Sequence, residues 1–457
     1  MKNKSFTQAA SCLPLAILCN YASATDVLRM EGFGPISRAM GGTSMSYDVG
    51  NAGMMSNPAT LSLAKPGSHL SIGADVVTTD ITTRNQNTGK TAHSHDESNN
   101  RGPYYAPELS YSYRGDRWAA GIGAFAQGGL GTEYGKDSFL SNGTSGSPTD
   151  LDNSSRLLVL NIPLAFSFDI NDQLTIGASM DAMWMGMNID MMFGANQVGS
   201  LIGAGRATGS LVPVLGSLPA LDGAHIGFTK DQPLASGADA WGFGGRLGLL
   251  WKATDSTHVG VAYNFASKMN DLKGDATVTA VDRVAGQIPI SGKIKVRDFQ
   301  MPASLSVGVS HAITENWLIT GDVSRVFWRD AMKDIKVSFV DNQGQDLNLK
   351  FPQNYKDQTI GAIGTSYKMG DWTLRAGYRQ ATKAAESSLL FATLPVTPTK
   401  HISTGFSYQL TESGHIDFAY DHALKETTYN SSLPNTAVPI KNTHSQDNFV
   451  LGYTYDF

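Results

Sequence analysis

From about residue 69 to the end of the chain, apolar side chains recur at every second position in segments of about ten residues. The last segment is the clearest, because Phe449, Leu451, Tyr453, Tyr455 and Phe457 alternate with small or polar residues. Successive side chains of a strand point to opposite faces, so this period predicts strands with one oily and one polar face.

Fourteen segments of this kind follow one another, and short turns alternate with long polar loops between them. We predict strands near residues 69–81, 104–114, 117–128, 157–170, 173–185, 239–252, 257–267, 301–313, 316–328, 358–369, 371–380, 400–410, 415–424 and 447–457. An even number of strands with short turns on one side is typical of outer-membrane barrels, whose turns face the periplasm. The pattern predicts an all-β, transmembrane antiparallel β-barrel of about 14 strands over residues 67–457.

The aromatic residues support a membrane location. Amphipathic rings prefer the two membrane interfaces, and we place all seven tryptophans at strand ends: Trp118, Trp251, Trp317 and Trp372 beside short turns, and Trp184, Trp241 and Trp328 beside long loops. A soluble β-sandwich is the alternative.

The C-terminal Phe457 resembles the signal by which the barrel assembly machinery recognises its substrates. An unpaired strand edge is costly in hydrocarbon, so the first and last strands should pair.

Residues 1–24 have the layout of a cleavable signal peptide, with an apolar run at 13–18 and a small-residue exit at 22–24. Both cysteines, Cys12 and Cys19, lie inside this segment. We therefore expect export to the bacterial outer membrane and no disulfide or thiolate metal site in the mature protein.

Composition narrows the class further. The slightly negative mean hydropathy of −0.17 by itself suggests a soluble protein. The 48 glycines, the 42 aromatic residues and the charged fraction of only 16% instead suit many short two-faced strands. The net charge of −5 argues against a nucleic-acid-binding protein, which would present a basic face.

Residues 25–66 do not alternate and are rich in Gly, Ala, Met and Asn. Within them Gly41-Gly42, Asp48 and Asn57-Pro58-Ala59 resemble the hatch motif of the FadL/TodX family of long-chain fatty-acid and aromatic-hydrocarbon transporters. Further matching segments lie at 129–134, 241–244, 271–275 and 302–304. The resemblance covers essentially the whole mature chain.

The resemblance implies a barrel with an N-terminal hatch (25–66) in its lumen, a pocket behind the hatch and a lateral opening in the wall. It implies passive uptake of a hydrophobic small molecule, either a long-chain fatty acid or an aromatic or aliphatic hydrocarbon, without a cofactor. Such a channel must also bypass the hydrated lipopolysaccharide outside the lipid. Val27, Leu28 and Phe33 of the hatch are candidates for ligand contact or gating.

The third predicted strand carries the candidate opening. Alternation places Gly121, Gly123 and Phe125 inward, and glycines permit a kink or bulge in a strand. By resemblance this is the site of the lateral opening, with Phe125 as a gate or pocket wall. Glycine is also common in barrel walls for structural reasons.

The long loop between about residues 186 and 238 holds Leu211, Val214, Leu215 and Leu218 at helix-like spacing. We predict an extracellular apolar groove that captures ligand. Packing of the loop onto the barrel explains the same residues equally well.

Alternation also turns Arg246, Arg375 and Arg379 toward the lumen, together with several aspartates. Pairing with those aspartates or with the hatch is one role for these arginines. The other is binding a substrate carboxylate, because guanidinium matches that group in a bidentate way.

The sequence contains few features that would indicate enzymatic activity. His93 and His95 in a polar loop would need a third ligand to hold a metal, and neither a nucleophile elbow nor a phosphate loop is present. The sequence therefore predicts a transporter and no enzyme, with no metal, and a general aqueous porin is the alternative.

Overall fold

The structure is a computed structural model that describes residues 27–94, 104–230, 235–395 and 397–457. The expected signal peptide and its cleavage point lie outside the described residues. None of the helices in these ranges is long and apolar enough to cross a membrane.

Strands account for most of the described chain. They are β1 (Gly67–Asn85), β2 (Thr91–His93), β3 (Tyr104–Arg114), β4 (Trp118–Glu133), β5 (Ser154–Asp169), β6 (Leu174–Gly194), β7 (Ala207–Thr208), β8 (Leu221–Phe228), β9 (Ala238–Lys252), β10 (Thr257–Asn264), β11 (Lys268–Met269), β12 (Leu272–Asp282), β13 (Gly286–Arg297), β14 (Ser304–Thr314), β15 (Trp317–Val326), β16 (Asp334–Asp341), β17 (Asp346–Pro352), β18 (Gln358–Met369), β19 (Trp372–Ala381), β20 (Lys400–Thr411), β21 (Gly414–Asn430) and β22 (Ile440–Asp456). The short α-helices are α1 (Gly34–Ala39), α2 (Ala195–Gly203), α3 (Leu211–Gly216) and α4 (Trp328–Ala331), and 3₁₀ turns cover Gly50–Met55, Pro58–Leu63, Phe139–Ser141 and Ser387–Leu389.

Antiparallel pairing closes the long strands into a ring. In the described part of the chain the ring runs β1, β3, β4, β5, β6, β9, β10, β14, β15, β18, β19, β20, β21, β22 and back to β1. The expected all-β antiparallel barrel is confirmed.

The first and last strands meet at the seam of the barrel. β1 pairs with β22 along its length, and the backbone N–H of Phe457 donates to the Ser68 carbonyl at 2.9 Å while that of Ser68 donates back to Phe457 at 2.8 Å. The predicted pairing of the first and last strands is confirmed, and it removes the open edge that hydrocarbon would penalise.

Side chains alternate across the wall as the sequence predicts. On β3, Leu109 and Tyr111 are exposed on the outer face, whereas Ser110 and Ser112 are buried inside. Outer-face residues of other strands, such as Leu164 and Met180, are also exposed. The outer surface is therefore a band of hydrocarbon and aromatic side chains, as a lipid-facing wall requires.

On the long-loop side of the barrel the same sheet branches at β6. β6 continues ten residues beyond Trp184, and the order from it is β6, β8, β12, β13, β16, β17 and β7. We call this branch the loop sheet. Its short strands were not predicted, although β16 and β17 alternate apolar and polar residues as the barrel strands do. These segments lie in the connections that we interpreted as long polar loops.

One tryptophan prediction is wrong. Trp328 is fully buried in α4 and makes an edge contact with Tyr355, with ring centroids 6.0 Å apart, so it packs beside the loop sheet instead of lying at a lipid interface. Trp184 also lies inside a strand, although it pairs with the exposed Trp241 at the level where the loop sheet begins.

Candidate functional site

Residues 27–66 are packed against inward-facing groups of the barrel wall. The Asn57 side chain joins the two parts: its Nδ2 donates to the Met45 carbonyl at 2.7 Å and to the Leu249 carbonyl of β9 at 3.1 Å. Its Oδ1 accepts from the Ala59 N–H at 3.1 Å and so caps the 3₁₀ turn that starts at Pro58. The side chain thus has an architectural role in this segment.

The glycine pair of the motif sits where other residues would be strained. Gly41 and Gly42 have φ of 70° and 80°, a region that glycine adopts without penalty. The Gly41 N–H donates to Ser403 Oγ at 2.9 Å, and a Cβ on Gly41 would lie 2.8 Å from the Tyr378 carbonyl. Asp48 is exposed and accepts from the Gly50 N–H at 2.8 Å.

The inward arginines are engaged with polar groups. Arg246 forms a buried ion pair with Asp181, and Arg375 Nη1 donates to Ser407 Oγ at 2.6 Å. Arg379 is buried beside Gly42 in the lumen. None of these three arginines lines the two apolar cavities described below.

The wall has a gap between β3 and β4. Their register ends at Glu108 and Phe125, although β3 begins at Tyr104 and β4 continues to Glu133. The β4–β5 register also shifts between Ala126 and Gly128, as at a β-bulge. In the described residues, the outer ends of β3 and β4 therefore separate.

A cavity of about 370 Å³ lies at this gap, and we call it the wall cavity. Its lining includes Val27, Tyr104, Pro107, Ala126, Gly128 and His444. Three glycines of β4, Gly128, Gly129 and Gly131, line it. The sequence analysis did not single these glycines out as cavity residues. Their clustering at the predicted end of the strand was a signal that could have indicated them.

The glycines that the sequence did single out have a different position. Phe125 is only 1% exposed and packs with Met54 and Met55 of the N-terminal segment, and a Cβ on Gly121 would lie 2.9 Å from Met54 Sδ. A Cβ on Gly123 would lie 2.4 Å from the Phe125 ring. These residues pack the N-terminal segment against the wall, and Phe33 is partly buried against the same cluster.

The chain around Leu28 forms one boundary of the wall cavity. The Gly129 N–H donates to the Leu28 carbonyl at 3.0 Å, and the Met30 N–H donates to the Gln127 carbonyl at 3.1 Å. A Cβ on Gly128 would lie 1.9 Å from the Leu28 oxygen. Only glycine at 128 allows the two backbones to approach this closely.

A second cavity, of about 90 Å³, lies under the loop sheet, and we call it the outer cavity. Its lining is mainly Met, Phe, Ile, Leu and Val, including Met187, Ile189, Phe193, Phe228, Val337 and Phe351. Burial raises the pKa of the Tyr355 hydroxyl in this lining, so the group stays neutral.

The two cavities meet at shared residues. Arg156 and Leu157 line both, while Leu28 lines the outer cavity and its neighbours Val27 and Arg29 line the wall cavity. Arg156 is 7% exposed, and its Nη2 donates to the carbonyls of Ala235 at 2.5 Å and Lys230 at 3.4 Å. This charge is thus engaged with the protein at the junction of the cavities.

The comparisons with known proteins agree with this architecture. The model of the family described as outer membrane protein transport protein (OMPP1/FadL/TodX) matches residues 17–457. The chain belongs to this family. Its relatives carry outer-membrane names, so the FadL/TodX chain described here is an outer-membrane protein, and its family consists of transport channels, not enzymes.

Solved members of the FadL/TodX family share the fold closely. The toluene transporter TodX of Pseudomonas putida is 41% identical, with 93% of this chain and 99% of that chain covered and a TM-score of 0.84. The toluene transporter TbuX of Ralstonia pickettii is 42% identical over the same shares, with a TM-score of 0.80.

Curated relatives of this FadL/TodX chain are more distant. The long-chain fatty acid transport protein of Escherichia coli is 23% identical, with 92% of each chain covered. Outer membrane protein P1 of Haemophilus influenzae is 25% identical over 67% of this chain, and the match spans only 62% of that protein.

The predicted loop groove of the FadL/TodX chain has a mixed position. Leu211 and Leu215 of α3 are buried, Leu218 is half-buried and Val214 is exposed. None of the four lines the outer or the wall cavity. The burial of Leu211 and Leu215 agrees with the alternative interpretation, in which these side chains pack the loop onto the barrel.

One group of metal-ligand residue types comes together among the described residues. Ligand atoms of Glu31, His401 and Asp421 lie within 4.8 Å of one another. Glu31 is paired with Arg38, and His401 Nδ1 lies 2.9 Å from Asp421 Oδ1. We treat this group of the FadL/TodX chain as an ionic network. His93 Nδ1 hydrogen-bonds to Thr82 at 3.0 Å, and His95 lies outside the described residues.

Proposed function

We propose that this protein takes up small uncharged hydrocarbons, with monoaromatic compounds as the favoured class, across the outer membrane without an energy source. The observation that carries the proposal is the outer cavity, whose lining is almost entirely apolar and joins the wall cavity through Arg156 and Leu157. An apolar cavity excludes water and favours hydrocarbon by hydrophobic transfer. The similarity to TodX and TbuX supports the same ligand class.

A fatty acid is the second candidate ligand. Its carboxylate would need a charged partner in the cavity, and Arg156 is the charged residue of the outer cavity's lining. That guanidinium already donates to two backbone carbonyls, so binding a carboxylate would require it to exchange partners. An uncharged hydrocarbon makes no such demand, which is why we favour it.

In the proposed route, ligand enters the outer cavity from the loop side and crosses to the wall cavity past Leu28. It then leaves sideways into the membrane through the gap between β3 and β4. Residues 25–66 act as a hatch that blocks the straight path through the lumen. A general aqueous porin would instead need an open lumen, whereas here residues such as Met54 and Asn57 are buried within the barrel.

The proposed surroundings follow from the two ends of the barrel. The apolar outer band would contact lipid, the loop sheet would lie in lipopolysaccharide, and the exposed Phe457 would be the contact for the barrel assembly machinery during insertion. The apolar groove at α3 stays a proposed capture site, since Val214 is exposed on it.

Filling the outer cavity is expected to reduce uptake. Ile189 lines this cavity and is half-buried, so Ile189→Trp would place a large ring in the ligand's space. Overpacking of this kind costs about 1–3 kcal/mol, and we expect toluene uptake to fall by roughly tenfold. Uptake of radiolabelled toluene by cells that make the variant measures the effect.

The matched control is Val284→Trp, which adds the same ring at a position that is 77% exposed. It should leave uptake unchanged. Decanoate uptake and bilayer conductance are measured in parallel. Uptake of decanoate but not toluene would identify a fatty-acid channel, steady conductance would identify a porin, and equal toluene uptake by both variants would contradict a transport role for the outer cavity.

A further inference from the structure

The wall cavity is closed on its lumen side by three consecutive residues. Arg29, Met30 and Glu31 line the wall cavity and also a polar space of about 50 Å³ inside the barrel, which we call the lumen gap. The lumen gap is otherwise lined by residues such as Ser44, Ser306, Asp322 and Arg379. Residues 29–31, which we call the floor segment, thus separate the ligand's space from the interior of the barrel.

The floor segment is tied to the wall by a charged side chain. Glu31 is 6% exposed and forms an ion pair with Arg38 of α1. Arg38 Nη2 in turn lies 3.0 Å from Asp75 Oδ2 on β1. Through Arg38, the Glu31 carboxylate therefore connects the floor segment to the barrel wall.

A second connection reaches the opposite side of the seam. His401 Nε2 on β20 lies 3.9 Å from Glu31 Oε1, and His401 Nδ1 lies 2.9 Å from Asp421 Oδ1 on β21. Asn448 Nδ2 on β22 also donates to Asp421, at 3.2 Å. Groups from β1, β21 and β22 are thus linked to the floor segment through Arg38 and through His401 of β20.

The network is built to hold charge in a buried place. Burial alone would lower the pKa of Arg38, but the carboxylates of Asp75 and Glu31 raise it, so the guanidinium stays charged. A buried charge that loses its partner is strongly unfavourable. Displacement of Glu31 would leave the buried positive charge of Arg38 only partly compensated by carboxylates. The free-energy cost of that state opposes opening of the floor.

We infer that Glu31 is a positioning residue that keeps the floor of the wall cavity shut, and so directs ligand out through the wall gap and away from the lumen. This inference rests on the proposed function, in which ligand reaches the wall cavity. The backbone contacts of Leu28 and Met30 with β4 fix one end of the floor, and the Glu31 ion pair fixes the other.

Thiol labelling in the lumen gap tests the inference. Ser306 lines the gap and is 7% exposed, so Ser306→Cys reports whether a small uncharged reagent, methyl methanethiosulfonate, can pass the floor. In purified protein, mass spectrometry follows the labelling rate of the thiol at position 306. Combining Ser306→Cys with Glu31→Gln is expected to raise this rate by about tenfold. The substitution removes a contact that stabilises only the closed state, so the open state becomes more populated.

Three controls make the outcome specific. Glu31→Asp keeps the charge and should leave the rate within about twofold of the parent. Glu386→Gln removes an exposed carboxylate and should leave the rate unchanged. Ser46→Cys, at a fully buried position elsewhere in the N-terminal segment, should not label faster with Glu31→Gln, since only the floor opens.

Unchanged labelling at position 306 in Glu31→Gln would overturn the inference, and so would equal acceleration at positions 46 and 306, which reports general loosening. If Glu31→Gln does not fold, as judged by its heat-modifiable migration, Arg38→Lys is the second variant and should also raise labelling at position 306. Toluene uptake is measured separately: absent uptake in the unmodified protein contradicts the proposed function, whereas the labelling comparison stands or falls independently.

Discussion

Replacing Gly128 by leucine is expected to reduce toluene uptake by roughly tenfold or more, where about 1.4 kcal/mol corresponds to each factor of ten. A Cβ at this position would lie 1.9 Å from the Leu28 carbonyl oxygen, so the leucine must push residues 28–30 away from β4. Because Gly128 also lines the wall cavity, the added side chain occupies ligand space as well. Uptake of radiolabelled toluene per folded molecule measures the combined effect.

The matched control for this substitution is Gly361→Leu. Gly361 lies on the lipid-facing side of β18, and a Cβ there would meet nothing within 4 Å. A leucine in the outer band adds only hydrocarbon to a surface that faces lipid. Uptake by Gly361→Leu should equal that of the parent, and an undiminished uptake by Gly128→Leu would contradict the route past Leu28.

Replacing Arg246 by methionine is expected to lower the free energy of unfolding by about 3–5 kcal/mol, because it leaves the carboxylate of Asp181 buried without its partner. Both side chains of the pair are only 3% exposed. Urea unfolding of the barrel in lipid vesicles, followed by tryptophan fluorescence, measures the loss. The double variant Arg246→Met with Asp181→Asn should recover most of the stability, since it removes the unpaired charge.

An exposed pair supplies the comparison. Arg325 and Asp357 are 3.5 Å apart, with the arginine 46% exposed, so Arg325→Met should cost less than about 1 kcal/mol. The stability test also separates the two roles that the sequence left open for Arg246. A normal unfolding midpoint combined with lost uptake would favour a ligand-binding role, and would contradict the structural role that the ion pair supports.

Much of the barrel could be predicted from the period-two pattern. The segments 104–114 and 358–369 have the observed bounds of β3 and β18, because each of their faces meets a single environment, lipid outside or packed lumen inside. Prediction fell short where a strand leaves the membrane. β6 continues to Gly194, nine residues past the predicted end, because beyond that point its partner is β8 of the loop sheet.

The candidate site was predicted less completely. The motif residues of the N-terminal segment, including Asn57 and Gly41, lie where close contacts with the wall require them. The sequence emphasised Gly121 and Gly123, whereas Gly128, Gly129 and Gly131 line the wall cavity. Glycine content alone could not separate these groups. Gly121 and Gly123 accommodate Met54 and the Phe125 ring, whereas Gly128, Gly129 and Gly131 accommodate the Leu28 backbone, the Leu157 carbonyl and the Tyr104 ring.

The sequence by itself determined the barrel, its closure and the side of the side chains in the predicted barrel strands, because alternation along a strand is a local property. Only the tertiary structure decided which residues share a cavity. The outer cavity joins β6, β8, β13, β16 and β17, and the Glu31 network joins the N-terminal segment to β1 and β20. Both depend on pairings between segments far apart in the chain, which no local pattern encodes.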